Sequence, residues 1–330
     1  MRNAAFEQKL ATVEALRKGP VSPETGDALR KFLRDRNNFV VSKAAAAVGA
    51  LGLKDLIPDL CAAFERFLAD AVKTDPQCWA KSAIAKALAD LGHDEPGVFL
   101  GGLAHEQFEP VWGGRQDTAG PLRGACALAL VSCRGIGDVD LLRHLTTRLT
   151  DREGTVRVDT VRAIGHIGRA EGALLLRLRA LIGDDEPEVM GACFSTLLSL
   201  EGGRGIEFVG GFLERGGDAA GEAALALGLT HEAAALELLR ERWTREPDPE
   251  TRVTLLTGIA LTRLAEAVGF LIGLVADGGT AAESALRAAA AARVPDDVAA
   301  RLKDAVARSG DPRLDAAFER HMATKASGAE

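Results

Sequence analysis

The sequence lacks tyrosine entirely, and aromatic residues fill only 5% of its 330 positions. Hydrophobic residues nevertheless make up 47% of the chain, so its core must be built mainly from Ala, Leu, Val and Ile. Such small and aliphatic side chains suit helices that pack closely against one another. The composition therefore favours an array of helical units, each packed on its neighbours, over two ordinary globular domains.

Motifs that usually carry catalysis are also missing. The chain has no Gly-rich phosphate loop of the Walker type, no G-x-S-x-G element and no dinucleotide fingerprint. The glycine-rich segment 202–211 lacks those spacings, and we predict that it is a turn between repeats. The five cysteines include no C-x-x-C pair, and no histidine spacing indicates a metal. We expect no catalytic residues, no metal and no cofactor, and the sequence favours a protein that is not an enzyme.

Long apolar runs and an excess of positive charge are absent too. The net charge of −7 works against nonspecific attraction to nucleic acid or to an anionic membrane. No run of 18 uncharged apolar residues occurs, and the charged N-terminal segment does not resemble a signal peptide. We therefore expect a cytoplasmic protein that does not enter the membrane. Residues 134–183 are the exception in charge, with nine arginines against six acidic residues.

An internal repeat is the main feature that the sequence does contain. Acidic residues, which we call the register acids, recur every 30 to 42 positions between two apolar segments with helical spacing. They are Asp35, Asp75, Asp117, Asp151, Asp184, Glu214, Glu246, Asp277 and Asp311. Each repeat is therefore predicted to be two helices joined by a short acidic turn. A carboxylate at such a turn can accept backbone N–H groups of the second helix and also face a basic side chain.

The repeat resembles the HEAT repeat, particularly its short bacterial form. The resemblance rests on the turn aspartate, on "VR" in the second helix and on the ending "AIGHIG"; it is strongest at 138–170 and covers about 24–323. It implies an all-α fold, namely an α-alpha superhelix in the form of a right-handed solenoid of about nine helix pairs. We expect one domain over 1–323, with a capping helix at 1–20 and a flexible tail at 324–330.

In that family the turn aspartate and a basic residue of the second helix form a ladder of polar contacts between repeats. The resemblance implies this role for four pairs. They are Asp75 with Lys81, Asp117 with Arg123, Asp151 with Arg157, and Glu246 with Arg252. In the other five repeats the position of the basic residue is taken by a residue that is not basic, which interrupts the ladder. These residues are Val41, Met190, Ala220, Glu283 and Ala317.

Irregularities in the repeat are the best places to look for function. The first is a long helix predicted over 55–73. The second is an inserted loop at 104–121, in the third repeat, which concentrates His105, Glu109, Trp112 and Arg115 next to two glycines. Two interpretations are open: a binding loop, or a cap in which Phe108 and Trp112 fold over a groove between helices.

A binding scaffold is the function that this pattern favours. Second helices of such repeats line a concave face, which can hold a segment of a partner protein along several repeats. Besides His105, Glu109, Trp112 and Arg115 of the insertion, the candidate contacts are Lys43, Lys81, Lys86, Arg123, Arg162 and Arg287. The identity of the partner protein is left open.

Two alternatives follow from related resemblances. One is a nucleic-acid-binding protein, including an alkylpurine DNA glycosylase, to which Trp79, Trp112 and Asp117 correspond in residue type. The other is a protein similar to the bilin lyases, which attach tetrapyrroles. The acidic net charge disfavours the first alternative, and the small number of aromatic residues disfavours the second.

Overall fold

The fold is almost entirely helical. The computed structural model describes residues 2–322, and within this range there are twenty α-helices and one two-stranded sheet. The tail predicted at 324–330 lies outside the described residues. The chain divides into two compact units, residues 1–172 and 173–330, which we call the N-terminal unit and the C-terminal unit.

Ten helices and both strands precede the end of the N-terminal unit. They are α1 (Arg2–Lys18), α2 (Pro23–Leu33), α3 (Asn38–Ala50), α4 (Ile57–Leu68), α5 (Ala71–Thr74), α6 (Trp79–Asp90), α7 (Pro96–Ala104), β1 (Phe108–Val111), β2 (Gly114–Asp117), α8 (Gly120–Leu130), α9 (Asp138–Arg148) and α10 (Gly154–Ile167).

Ten further helices follow, the first of which begins at the boundary between the units. They are α11 (Ala170–Ile182), α12 (Pro187–Glu201), α13 (Gly203–Gly210), α14 (Gly217–Gly228), α15 (Ala233–Arg245), α16 (Pro249–Leu261), α17 (Ala265–Asp277), α18 (Gly279–Ala291), α19 (Asp296–Ser309) and α20 (Pro312–Met322).

Helices pair as the acidic period predicts. Each of the nine register acids lies at or next to the turn between the two helices of a pair, from α2 with α3 to α19 with α20. The second helices α3, α6, α8 and α10 pack side by side in the N-terminal unit, and α12, α14, α16, α18 and α20 do so in the C-terminal unit. The all-α fold of about nine helix pairs is therefore confirmed within residues 2–322. Its organisation as one domain stays a prediction.

The core has the composition that the sequence requires. Ala, Leu, Val and Ile supply most of the buried apolar side chains. Five large phenylalanines are also fully buried, three in the N-terminal unit and two in the C-terminal unit, namely Phe64, Phe67, Phe99, Phe194 and Phe212. None of the helices in residues 2–322 has the length and apolar character that crossing a membrane requires.

Three local predictions were wrong. The long helix expected over 55–73 is interrupted after Leu68, because Asp70 adopts a positive φ of 50° that separates α4 from α5. The segment 202–211 is largely helical, since α13 runs from Gly203 to Gly210 despite its glycines. The insertion 104–121 is not an irregular loop, because its centre forms the hairpin β1–β2.

Candidate functional site

A groove crosses the second helices of the N-terminal unit. It has a volume of about 720 Å³, and its walls come from α3, α6, α8, the start of α10 and the end of β2. We call it the second-helix groove. Phe39, Lys43, Trp79, Lys86, Pro121 and Glu153 are among the residues that line it.

Two aromatic rings form the floor at one end of the second-helix groove. Phe39 and Trp79 meet edge to face, with ring centroids 5.1 Å apart. Each is the fourth residue after a register acid, so the repeat places both side chains at the same position of adjacent second helices. The Trp79 side chain is 48% exposed, which leaves much of its apolar surface in contact with solvent. Phe39 was not among the contacts predicted from the sequence, although its offset of four residues from Asp35, shared with Trp79, is a signal that identifies it.

A strained turn holds Trp79 in place. Gln77 and Cys78, which precede it, both adopt positive φ, at 62° and 54°. For residues with a side chain this conformation costs roughly 1–3 kcal/mol and persists only where the surroundings enforce it. Here the buried carboxylate of Asp75 accepts the backbone N–H groups of Ala80 (2.9 Å) and Lys81 (3.0 Å). The register acid therefore fixes the first turn of α6 and the direction of its tryptophan.

Lys81 and Arg123, two of the predicted contact residues, point into the protein. Lys81 is fully buried and its ammonium lies 3.0 Å from the Asp75 carboxylate. Arg123 donates two hydrogen bonds of 2.8 Å to Asp151 and lies 2.7 Å from Asp117. Both residues stabilise turns between helices and offer no exposed surface to a partner. Placing them among the partner contacts was wrong, because their acidic partners are buried with them.

The ionic contacts run from one repeat to the next in this unit. Arg123 joins the register acid of its own repeat, Asp117, to that of the following repeat, Asp151. Burial alone would raise the pKa of Asp151, but the bonds from Arg123 and from the Glu153 backbone outweigh this effect and lower the pKa. Arg157 donates to the Asp151 carbonyl oxygen at 2.7 Å.

The corresponding contacts in the C-terminal unit use backbone oxygens or basic residues of the first helix. Arg252 donates to the carbonyl oxygen of Glu246 at 3.1 Å, and its guanidinium stacks on Trp243. The carboxylate of Glu246 pairs with Arg242, which lies on α15. Similarly, Asp184 pairs with Arg179 of α11.

The hairpin presents a tryptophan at its tip. β1 and β2 pair antiparallel from Phe108 with Asp117 to Val111 with Gly114, so Trp112 and Gly113 form the turn. Gly113 has a φ of 89°, which a residue with a side chain would adopt only with strain. Trp112 is fully exposed. The cap interpretation is therefore wrong for Trp112, which does not fold over the protein surface.

The base of the hairpin is tightly bound to the helices beneath it. The buried Glu109 carboxylate accepts hydrogen bonds from the Gln77 backbone N–H (2.6 Å), Gln107 Nε2 (2.7 Å) and Thr118 Oγ1 (2.6 Å). Burial tends to raise the pKa of Glu109, but these bonds are stronger in sum and lower it. The Arg152 guanidinium lies over the ring of Phe108, with its Cζ atom 5.5 Å from the ring centroid. The hairpin is thus a rigid support for an exposed side chain.

The remaining predicted contacts are distributed over several places. Lys43 and Lys86 are exposed in the second-helix groove. Arg115 is exposed on β2 and donates to the Phe108 carbonyl oxygen at 3.0 Å. Arg162 is exposed on α10 and pairs with Asp159. Arg287 lies in the C-terminal unit, where it pairs with Glu250.

His105 and Glu109 are less accessible than the sequence suggested. His105 is half-buried, its Nε2 lies 3.2 Å from Gln107 Oε1, and burial lowers its pKa. Glu109 is occupied by the hydrogen bonds at the base of the hairpin. The structure therefore brings Lys43 and Lys86 together in one groove and places Trp112 on a separate projection of the same unit.

The metal-binding and reactive side-chain types of residues 2–322 lie apart or in buried surroundings. No cluster of three or more His, Cys, Asp or Glu side chains there is arranged to hold a metal. Cys61 lies 4.0 Å from His93, but burial raises the pKa of its thiol and so disfavours the reactive thiolate. Asp117, the acid suggested for a glycosylase, is buried against Arg123 and is not available to a substrate.

Comparisons with known proteins give only distant structural likenesses. No protein-family model matches the chain, and neither does any curated protein. Human deoxyhypusine hydroxylase is 16% identical over 78% of this chain and 98% of its own, with a TM-score of 0.31.

Two other solved structures are similar at the same level. An engineered protein is 16% identical over 96% of this chain and 94% of its own, with a TM-score of 0.35. The complex of CpcE and CpcF of phycocyanin lyase from Nostoc sp. PCC7120 contains a chain that is 17% identical over 88% of this chain and 96% of its own, also with a TM-score of 0.35.

Proposed function

We propose that this chain is a HEAT-like, non-enzymatic scaffold that binds a partner protein in the cytoplasm. The partner contacts the second-helix groove and the hairpin tip. The observation that carries this proposal is the fully exposed Trp112 on a support whose base is fixed by buried hydrogen bonds. An exposed tryptophan on a rigid element is typical of residues that dominate protein interfaces, because it buries a large area at little cost in entropy.

The chemistry of the second-helix groove is independent support for the same function. Its exposed aromatic surface at Trp79 and its two lysines offer apolar contact and charge without a deep, enclosed cavity. Such a surface suits an extended or helical segment of a protein better than it suits a small substrate. Arg115, beside Trp112, supplies a guanidinium that can contact a carboxylate of the partner.

The nucleic-acid alternative is weakened by the way the arginines of 134–183 are used. Most of them face acidic side chains, for example Arg162 with Asp159 and Arg169 with Asp138. A phosphate backbone is bound by basic groups that can release its counterions, and paired arginines contribute little to this effect. The bilin-lyase-like alternative is weakened because the groove offers only the rings of Phe39 and Trp79 to a pigment.

Site-specific photo-crosslinking tests the proposal. A photoreactive phenylalanine analogue at position 112 should capture one protein from extracts of the source cells, whereas the same analogue at position 229, also exposed, should not. The Trp112→Ala, Arg115→Ala double variant should lose the partner in affinity purification while keeping its melting temperature. Capture of the same proteins from both positions, or retention of the partner by the double variant, would contradict a binding role for the hairpin.

A further inference from the structure

Two lysines in the second-helix groove have no acidic counterpart. Lys43 on α3 and Lys86 on α6 are exposed there, and neither forms an ion pair with another described residue. Asp90 lies one turn after Lys86 but does not pair with it. The Lys43 ammonium instead lies 5.0 Å from the centroid of the Phe39 ring. The two lysines differ in this from the exposed Lys9, Lys18 and Lys73, each of which lies within 4 Å of a carboxylate.

The carboxylates of the same groove do not compensate these lysines. Asp117 is held by Arg123 beneath the surface, so its carboxylate pairs with that guanidinium and with neither lysine. Glu153 lines the opposite side of the groove, on the turn before α10. The α3–α6 side of the groove is therefore positively charged and ends at the exposed face of Trp79.

The spacing of the helices sets the size of a ligand that fits this surface. Packed helices lie about 8–10 Å apart, so the four second helices of the groove span roughly 25–30 Å. A chain in the polyproline II conformation advances about 3.1 Å per residue and presents every third side chain to the same face, which corresponds to about eight or nine residues across the groove and about three residues between adjacent helices. Two acidic side chains about three residues apart would reach Lys43 and Lys86 together.

We propose that the second-helix groove binds an acidic peptide segment of the partner. The segment carries two carboxylates about three residues apart and an aromatic or large aliphatic residue that packs on Trp79. This inference rests on the proposed scaffold function and specifies the chemistry of the segment that is bound. Charge complementarity carries it: the α3–α6 side of the groove is positive in a protein of net charge −7.

A single-stranded or duplex nucleic acid fits this surface less well. A phosphate backbone presents a charge at every nucleotide, so it requires a continuous row of free basic groups. Beyond Lys86 the groove continues to Pro121, Ala125 and Glu153, none of which is basic. Two positive charges followed by an apolar and then an acidic surface match a short acidic motif with an apolar anchor.

Selection from a random dodecapeptide display library tests the inference on the whole chain. Peptides enriched by the wild-type protein should contain pairs of Asp or Glu about three residues apart together with Trp, Phe or Leu. Enrichment should be lost with the Lys43→Glu, Lys86→Glu double variant. It should persist with Lys54→Glu, Lys303→Glu, a matched variant with the same change in net charge at exposed lysines outside the groove.

Labelled copies of the enriched peptides then give the strength of each contact. Fluorescence anisotropy should show a loss of affinity of about tenfold with Lys43→Gln, Lys86→Gln, a comparable loss with Trp79→Ala, and weaker binding at higher salt. Far-ultraviolet circular dichroism of each variant checks that it is folded, so that loss of binding is attributable to the groove.

The outcomes separate this inference from the scaffold function on which it rests. Enriched peptides that are neutral or basic, or whose binding ignores the lysine substitutions, would overturn the acidic motif while leaving a peptide-binding protein. Binding of a labelled 20-nucleotide strand by a protein that selects no peptide would identify nucleic acid as the ligand and overturn both proposals. Selection of no ligand at all, together with no crosslink from position 112, would also count against both.

Discussion

The two units solve the same packing problem with different chemistry. In the N-terminal unit, buried ions join successive repeats, as Arg123 does between Asp117 and Asp151. In the C-terminal unit, α14 and α16 approach so closely that a Cβ atom on Gly228 would lie 2.9 Å from the Cα of Gly258. The bridge between register acids is fully buried in the N-terminal unit, whereas in the C-terminal unit the corresponding bridge, Arg242 between Glu214 and Glu246, includes an exposed carboxylate and lies beside helices in backbone contact. Helix pairs with the same repeat geometry can therefore be held together by different contacts.

The exposed faces of the second helices differ as well. The fourth residue after the register acid is Phe39, Trp79, Pro121 and Thr155 in the four N-terminal repeats. In the first three C-terminal pairs the same position is acidic, as Glu188, Asp218 and Glu250. The repeat thus keeps one geometry and varies its surface from aromatic to acidic. This difference is why we place partner binding on the N-terminal unit.

The largest effect is expected from removing the ion that joins two N-terminal repeats. Arg123→Met leaves Asp117 and Asp151 buried without their cation, which should lower the free energy of unfolding by about 3–5 kcal/mol. Arg252→Met is the matched change in the C-terminal unit. It should cost about 1 kcal/mol, because Arg252 donates only to carbonyl oxygens and stacks on Trp243, while the Glu246 carboxylate keeps Arg242 as its cation.

Hydrogen exchange read by mass spectrometry measures the two units separately. Arg123→Met should speed exchange in α8 and α10, and Arg252→Met should leave those helices unchanged. If both variants lost little stability, and by the same amount, the buried ions would not be what stabilises the contacts between helix pairs in the N-terminal unit.

A smaller loss is expected from filling the close approach in the C-terminal unit. Gly228→Ala would place its methyl group against the backbone of Gly258, which cannot move aside as a flexible side chain does. The cost should be about 1–3 kcal/mol in urea unfolding. Gly221→Ala, on the same helix, meets only the Thr254 methyl group at 3.6 Å and should be neutral or stabilising. If neither alanine lowered the free energy of unfolding, close backbone packing of α14 on α16 would not be what stabilises their contact.

Two carboxyl groups, Glu222 in the C-terminal unit and Glu109 in the N-terminal unit, should make the free energy of unfolding change with pH in opposite directions. Burial raises the pKa of Glu222, and the nearby Glu188 and Asp218 raise it further. The native state then binds more protons than the unfolded state between the usual value of 4.5 and the raised pKa, so stability falls as pH rises through this window. Glu222→Gln should therefore stabilise the protein at pH 7 by less than about 1 kcal/mol, and the gain should vanish below pH 4.

Glu109 provides the opposite case. Its lowered pKa means that its contribution is present above the ordinary glutamate value and is lost as pH falls through the lower, folded value. Glu109→Gln should therefore destabilise the protein at pH 7, and the difference from wild type should shrink as the pH is lowered. Unfolding measured between pH 3 and pH 7 checks both variants, and a shift of the same sign for the two would contradict these assignments.

The sequence predicted the repeat more fully than the site. The spacing of the register acids is enough to place every helix pair, because a carboxylate at the turn serves the same purpose in each repeat. The HEAT resemblance implied that Lys81 and Arg123 pair with Asp75 and Asp117, as they do, but the spacing did not reveal that these pairs are buried and so closed to a partner. Nor did it reveal the positive φ of Asp70 or of Gln77; for Gln77, the backbone N–H is bound by Glu109, 32 positions away, which no local pattern shows.

The smallest effect on stability is expected at the residue that matters most for the proposed function. Trp112 is fully exposed at the hairpin tip, so Trp112→Ala removes no buried contact and should change the free energy of unfolding by less than about 0.5 kcal/mol. Trp79→Ala is the informative comparison, because its ring packs on Phe39 and about half of its surface is buried. It should cost more, about 1–2 kcal/mol. Urea unfolding of the two variants therefore orders the tryptophans by burial, and a destabilisation by Trp112→Ala as large as that by Trp79→Ala would mean that the hairpin tip packs against the protein and is not free for a partner.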